Sequence, residues 1–183
     1  MAKLIMWNLQ TLDGFFEGPN HDLSWHLDVW GAELERLSIE QGKLAGALLF
    51  GRITYQLMAN HWPGEKGEIA DFMNAIPKLV FSRTLAAAEW HNTRLFSSDA
   101  PGTVARLKRE TDKDIFVFGS ANLSESLIPH GLFDEFRIAI TPHLLGAGTP
   151  LFKPARERRR LELLDAKPHS TGTVILRYAP ANQ

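Results

Sequence analysis

The chain has 183 residues, 44% hydrophobic and 22% charged, a size and balance that suit one domain spanning 1–183 with a sizeable core and exclude a disordered or low-complexity protein. Twenty basic against 21 acidic residues leave a net charge of -1, so no long-range field gathers nucleic acid or coats an anionic membrane, and any anionic ligand must be met locally. There is no cysteine, which excludes disulfides, thiolate metal ligands and a cysteine nucleophile, and fits a reducing compartment.

Taken in chain order, the opening MAKLIMWNLQTLDG carries no apolar core of a secretory signal, and no apolar run reaches the ~18 residues of a membrane span; the expectation is a cytoplasmic protein. Leu4 to Leu9 is the first short apolar run, followed by an irregular stretch, Phe15 to Trp25. Asp28 to Ile39 places Val29, Leu34 and Leu37 close to one helical stripe. Ala47 to Phe50 is the next strand, and it ends on Gly51-Arg52-Ile53-Thr54. Helices are expected at Ile53 to Ala59 and Ile69 to Ile76, with a loop, His61 to Glu68, between them. Lys78 to Phe81 is a strand that ends on Ser82-Arg83-Thr84, and Pro101 opens a helix that runs to Thr111. Ile115 to Phe118 stops abruptly on Gly119-Ser120-Ala121, and a helix follows to about Pro129.

From Phe133 the pattern changes to three long strands without intervening helices: FDEFRIAIT, RRLELLDAKPH and TVILRYAP. Brief apolar runs closed by Gly or Ser are what strands buried on both faces look like. The expected fold class is therefore α/β: a mixed, mainly parallel central sheet flanked by helices, completed by antiparallel C-terminal strands. The Gly/Pro-rich stretch Thr141 to Arg156 reads equally as a hairpin connection or as the wall of a site.

Three strand ends carry small, polar or cationic residues. In an open parallel sheet such ends face one crevice, where helix N-termini aim unpaired N–H groups at an anion. Thr54 is placed to cap a helix or donate to a phosphate, and Arg52 and Arg83 offer forked donors that match phosphate oxygens. A diphosphate fits such a crevice, although neither GxGxxG nor GxxxxGK[ST] is present. The seven histidines lack metal-ligand spacing, so no metal is expected. No G-x-S-x-G stands at a strand end, and the basic run Arg156 to Arg160 reads as a solvated loop entering a strand rather than a nucleic-acid patch.

The segments MWNLQTLDGFFEGP, LLFGRITYQLM, KLVFSRTL, IFVFGSANLSESLI and LFDEFRIAITPHLLGAGTPLF, in this order, resemble the dihydrofolate reductase-like superfamily. The branch they resemble most contains the reductase domain of the bifunctional riboflavin-biosynthesis enzyme. The resemblance runs from about Lys3 to Tyr178 and implies an NADPH-dependent reductase acting on a small planar heterocycle, pterin- or ribosylaminopyrimidine-like. It assigns the diphosphate region to Gly51, Arg52 and Thr54, and the adenosine ribose and 2′-phosphate to Ser82 and Arg83. Gly119 and Ser120, followed by Ala121, Asn122 and Leu123, approach the diphosphate and nicotinamide ribose; Ser120 stands where dihydrofolate reductases carry a second glycine. The loop from Thr11 to Phe16, with Gly14, closes over the nicotinamide.

Dihydrofolate reductases place a carboxylate on the first helix. Here Asp28 is the nominated acid, with an N-cap or first-turn role as its alternative, and Glu33, Asp22 and Asp13 are the other carboxylates nearby. Phe15, Phe16, Trp25 and Trp30 line a substrate pocket or simply pack the core. A cofactor-binding module of the same fold without turnover is the alternative to an enzyme. A homodimer is expected, with the long late strands offering the edge or face for it.

Overall fold

The structure is a computed structural model that describes residues 1–154 and 157–181. Arg156, at the head of the basic run and the end of the Gly/Pro-rich stretch, lies outside the described residues.

The strands are β1 (Leu4–Thr11), β2 (Phe15–Glu17), β3 (Ala45–Gly51), β4 (Lys78–Phe81), β5 (Thr93–Phe96), β6 (Asp114–Phe118), β7 (Glu135–Thr141), β8 (Thr149–Pro150), β9 (Leu161–Pro168) and β10 (Val174–Pro180). The α-helices are α1 (Ala32–Leu44), α2 (Arg52–His61), α3 (Glu68–Ala75), α4 (Ala100–Glu110) and α5 (Ala121–Leu127). Eight strands form one sheet in the order β5-β4-β3-β6-β1-β7-β10-β9, while β2 and β8 pair apart from it.

The neighbours from β5 through β7 are parallel; β10 runs antiparallel to β7, and β9 antiparallel to β10. The expected antiparallel completion is thus made by β10 and β9 alone. β7, grouped with them in the sequence, joins β1 in parallel because α5 carries the chain across the sheet before it, as a parallel connection requires.

Alternation along the central strands feeds two cores. Leu4, Met6, Leu49, Ile115 and Val117 pack with Val104 of α4 and Leu123 and Leu127 of α5. Ile5, Trp7, Leu48, Phe50 and Phe116 pack on the other face with Leu34 of α1, Tyr55 of α2 and Met73 of α3. Burial on both sides explains why these strands read as unbroken apolar runs, each fully buried Leu, Ile or Phe contributing roughly 1.5–3 kcal/mol.

Adjacent strands β3 and β6 send their following helices, α2 and α5, to opposite faces. The crevice between those helix starts is where an open α/β sheet has room for a ligand.

Three short strands and one helix boundary depart from the expected elements. β5 is four residues, TRLF, with Arg94 exposed at a sheet edge, too short and too polar to show a run. β2 and β8 lie inside the two stretches read as irregular, and they pair with each other. Helix α1 begins at Ala32 rather than Asp28; the segment before it is a short 3-10 turn, Ser24–His26, and a bend.

Candidate functional site

The carboxyl end of β3 bends into α2 with Gly51 as N-cap, and the carboxyl end of β6 turns through Gly119 and Ser120 into α5. Gly119 and Ser120 both adopt left-handed backbone, with φ of 61° and 59°. Glycine is demanded at 119, since a Cβ there would stand 2.9 Å from Thr54 Cγ2 and Oγ1 and 3.1 Å from Phe16 Cζ.

One hydroxyl pair locks the two turns together. Ser120 Oγ accepts from Gly51 N at 2.6 Å and donates to Thr54 Oγ1 at 2.9 Å, while Ser120 N donates to Thr54 Oγ1 at 3.1 Å. Gly119 N donates to Asn8 Oδ1 of β1 at 2.6 Å, which ties in a third strand. Thr54 is therefore not a helix cap: α2 has no side-chain cap, and the Thr54 hydroxyl serves the β6–α5 turn.

A cleft of about 160 Å³ lies over this lock, floored by Gly51, Arg52, Thr54 and Ser120 to Leu123 and walled by Phe16 and Glu17. Beyond Arg52 and Asn122 the same groove widens to about 500 Å³ between Ser82, Arg83, Phe96 and the start of α4. In the other direction, past Thr54, Phe16 and Glu17, it meets an apolar pocket of about 190 Å³ under α1, α2 and α3.

The structure thus brings Gly51, Arg52, Thr54, Ser82, Arg83, Gly119, Ser120, Ala121, Asn122 and Leu123, from widely separated parts of the chain, to one groove. Among the described residues Arg83 makes no ion pair and the Arg52 guanidinium donates only to Gln56 Oε1, at 3.0 Å. Ser82 Oγ accepts from the amides of Thr84 and Leu85, which leaves its proton free to donate. Asn122 Oδ1 accepts from Lys153 Nζ.

Two residues assigned to the cofactor do not line the groove. Thr11 is fully buried, its hydroxyl spent on Asp13 Oδ1 and Phe15 N, and Gly14 (φ 89°) makes the turn that links β1 to β2. They build the base of the loop whose Phe16 and Glu17 reach the site.

Neither Asp28 nor the nearby carboxylates Glu33, Asp22 and Asp13 line the cleft or the pocket. Asp28 is 69% exposed and faces His143 Nε2 at 3.4 Å, four residues ahead of the helix it was expected to join or cap. Glu33 accepts from Ser170 N and Oγ, and Asp22 accepts from Ser24. Asp13 accepts from the Thr11 hydroxyl and the Gly146 amide, which hold its carboxyl below the usual range and knot the β1 loop to the late glycine-rich loop. Of the aromatic candidates, Phe16 and Trp30 line the apolar pocket, while Trp25 is buried against His26 and His143.

The carboxyl group that borders both cleft and apolar pocket is Glu17, with a side chain only 8% exposed. Its Oε1 accepts from Thr149 Oγ1 at 2.8 Å and lies 2.8 Å from His21 Nδ1. Glu17 sits there because β2 pairs with β8, an approach so close that a Cβ on Gly148 would run into Glu17 O. In the sequence Glu17 simply follows two phenylalanines in FFEGP, with no local pattern that marks it as buried. No cluster of three or more His, Asp or Glu side chains suited to a metal occurs among the described residues. No helix among them is long and apolar enough to cross a membrane.

Residues 2–175 match the RibD C-terminal domain family. The chain belongs to that family. Its fold is accordingly dihydrofolate reductase-like, and the family points to a pyrimidine reductase-like activity. A relative 32% identical over 96% of this chain and 94% of its own length is the uncharacterized protein YyaP of Bacillus subtilis (strain 168). The fold also matches a candidate riboflavin biosynthesis protein from Shewanella sp. PV-4 with a TM-score of 0.82, at 17% identity and complete coverage of both chains. A further match, with a TM-score of 0.70 at 14% identity, is the diaminohydroxyphosphoribosylaminopyrimidine deaminase/5-amino-6-(5-phosphoribosylamino)uracil reductase of Thermotoga maritima, covering 98% of this chain and 57% of that one.

Proposed function

We propose that this member of the RibD C-terminal domain family is a cytoplasmic NADPH-dependent reductase of a small planar heterocycle, pterin- or ribosylaminopyrimidine-like. The observation that carries the reading is the continuous groove: cationic at the Ser82–Arg83 end, lined by helix-start backbone at Gly51–Thr54 and Gly119–Leu123, and apolar beyond Gly119. That sequence of surfaces suits an extended anionic dinucleotide with a flat ring at its far end.

The residues present fit the group. Arg83 is an exposed cation with no ion-pair partner among the described residues, placed to meet a 2′-phosphate, and Ser82 retains a proton to donate to it. The start of α2 directs its unpaired amides and positive dipole end, with Arg52 beside them, at the cleft where a diphosphate would lie. When bound, the nicotinamide supplies a hydride. The protein's part is to hold a flat acceptor against the groove beside Gly119, to exclude water with Phe16 and the β2–β8 flap, and to keep one carboxyl group, Glu17, at the junction.

Thermal melting with NADPH and NADH in parallel tests the reading. A ligand present at ~100 times its dissociation constant stabilises by about 2.7 kcal/mol, and NADPH is expected to raise the melting temperature more than NADH. Silence from both would end the proposal. Stabilisation without NADPH consumption over a panel of pterins, ribosylaminopyrimidines and quinones would favour the module without turnover.

The homodimer belongs to the same proposal. All eight residues of the edge strand β9 are exposed, Leu161, Leu163 and Leu164 among them, and an antiparallel pairing of two copies that sets Leu164 against Asp165 also sets Glu162 against Lys167. Sedimentation of the protein and of Leu163→Lys checks it: a dimer that the variant dissociates is the expected result.

A further inference from the structure

The apolar end of the groove differs in charge from the rest. Among the described residues that line it, none is lysine or arginine, and Glu17 is the one carboxylate. Its walls include Trp7, Met58, Trp62, Phe72 and Phe118, an environment that rewards a flat ring and penalises a charge left without a partner.

Three polar groups interrupt that wall. Asn8, only 3% exposed, has its Oδ1 committed to Gly119 N, while its Nδ2 is buried without a partner and so waits as a donor. Glu17 offers Oε2, which accepts no hydrogen bond among the described residues. His26 Nε2 is likewise buried without a partner, and burial lowers the ring's pKa to about 4, so it stands neutral at pH 7 and adds no positive charge. Arg52, a cation nearer the middle of the groove, lines the neighbouring cleft and not this pocket.

We infer that the substrate is an uncharged or cationic planar heterocycle carrying an acceptor for Asn8 beside N–H donors for Glu17, and that it carries no phosphate or carboxylate. This rests on the reductase reading of the groove and narrows it, setting the phosphorylated ribosylaminopyrimidines aside. A phosphate monoester would bring nearly two negative charges toward a pocket whose own charged side chain is Glu17, with no guanidinium or ammonium lining it to answer them.

The test is equilibrium quenching of tryptophan fluorescence, since Trp7, Trp30 and Trp62 line the pocket. The probes are 6-methylpterin, pterin-6-carboxylate and 5-amino-6-(5-phosphoribosylamino)uracil, each with and without saturating NADPH. The neutral pterin is expected to bind at least about tenfold more tightly than either anion, a ratio of the size that like-charge opposition at a partly desolvated site produces. Glu17→Gln is expected to shrink that ratio at least about threefold by removing the opposing charge. Equal or tighter binding of either anion, or no quenching by 6-methylpterin, overturns the inference, and the wild-type protein alone decides this. A melting-temperature rise with NADPH on the same preparation reports the cofactor half of the groove separately, so an anion-preferring pocket would leave the reductase reading standing.

Discussion

Replacing Thr54 with Val tests the claim that one hydroxyl pair holds the site together. The substitution keeps the shape of the side chain but removes the oxygen that accepts from Ser120 N at 3.1 Å and from Ser120 Oγ at 2.9 Å. Both residues are buried, at 7% and 8% exposure, so water does not readily replace the lost acceptor. Stranding the Ser120 amide costs about 1–3 kcal/mol, and the lost hydroxyl–hydroxyl bond adds about 1, giving a total of roughly 2–4 kcal/mol. The Ser120 hydroxyl keeps its bond from Gly51 N, so the damage centres on the β6–α5 turn. Urea unfolding followed by circular dichroism measures the loss, which should appear as a lower midpoint with an unchanged slope. Thr54→Ser retains the oxygen and drops only a methyl, so its cost should be about 1 kcal/mol. A Thr54→Val protein within about 0.5 kcal/mol of wild type, the scatter expected of an inconsequential surface change, would refute the argument.

Other outcomes follow from the same geometry. Arg83→Ala should weaken NADPH binding about tenfold by titration calorimetry and barely change NADH, the charge-assisted contact being discounted for exposure; equal losses would show that Arg83 does not read the 2′-phosphate. Gly119→Ala should destabilise by about 2–5 kcal/mol, combining left-handed strain with the approach to Thr54, and a near-neutral melt would contradict the φ of 61°. Glu135 supplies a pH dependence. Burial pushes its carboxyl up, but hydrogen bonds from Arg177 Nε at 2.7 Å and Arg137 Nε at 2.6 Å outweigh that and lower the pKa to about 2. Because the folded value lies below the unfolded value of about 4.3, this contribution is present above roughly pH 4 and is lost as pH falls through about 2. Glu135→Gln should flatten the urea midpoint between those limits, and parallel profiles for variant and wild type would count against the reasoning.

Much of the groove from Gly51 to Arg83 was legible because its signals are local. Gly51-Arg52, Ser82-Arg83 and Gly119-Ser120 each end a strand that is apolar on both faces, and in a parallel sheet the ends of such strands point the same way. Asp28 stands four residues ahead of the helix to which hydrophobic spacing assigns it, a boundary that such spacing alone sets loosely. Nothing in the residues around Glu17 marks it as buried.

By itself, then, the sequence determined the parallel α/β core, the order of its longer elements and the residues at the strand ends, since periodicity and strand-terminal glycines are written into consecutive positions. Only the tertiary structure decided that β7 joins β1 in parallel, that Thr54 latches Ser120 instead of capping α2, and that Glu17 rather than Asp28 faces the pocket. Each of these depends on contacts between segments far apart in the chain: β2 meets β8 across more than a hundred residues, and no local preference encodes which distant backbone will close over a short, irregular strand.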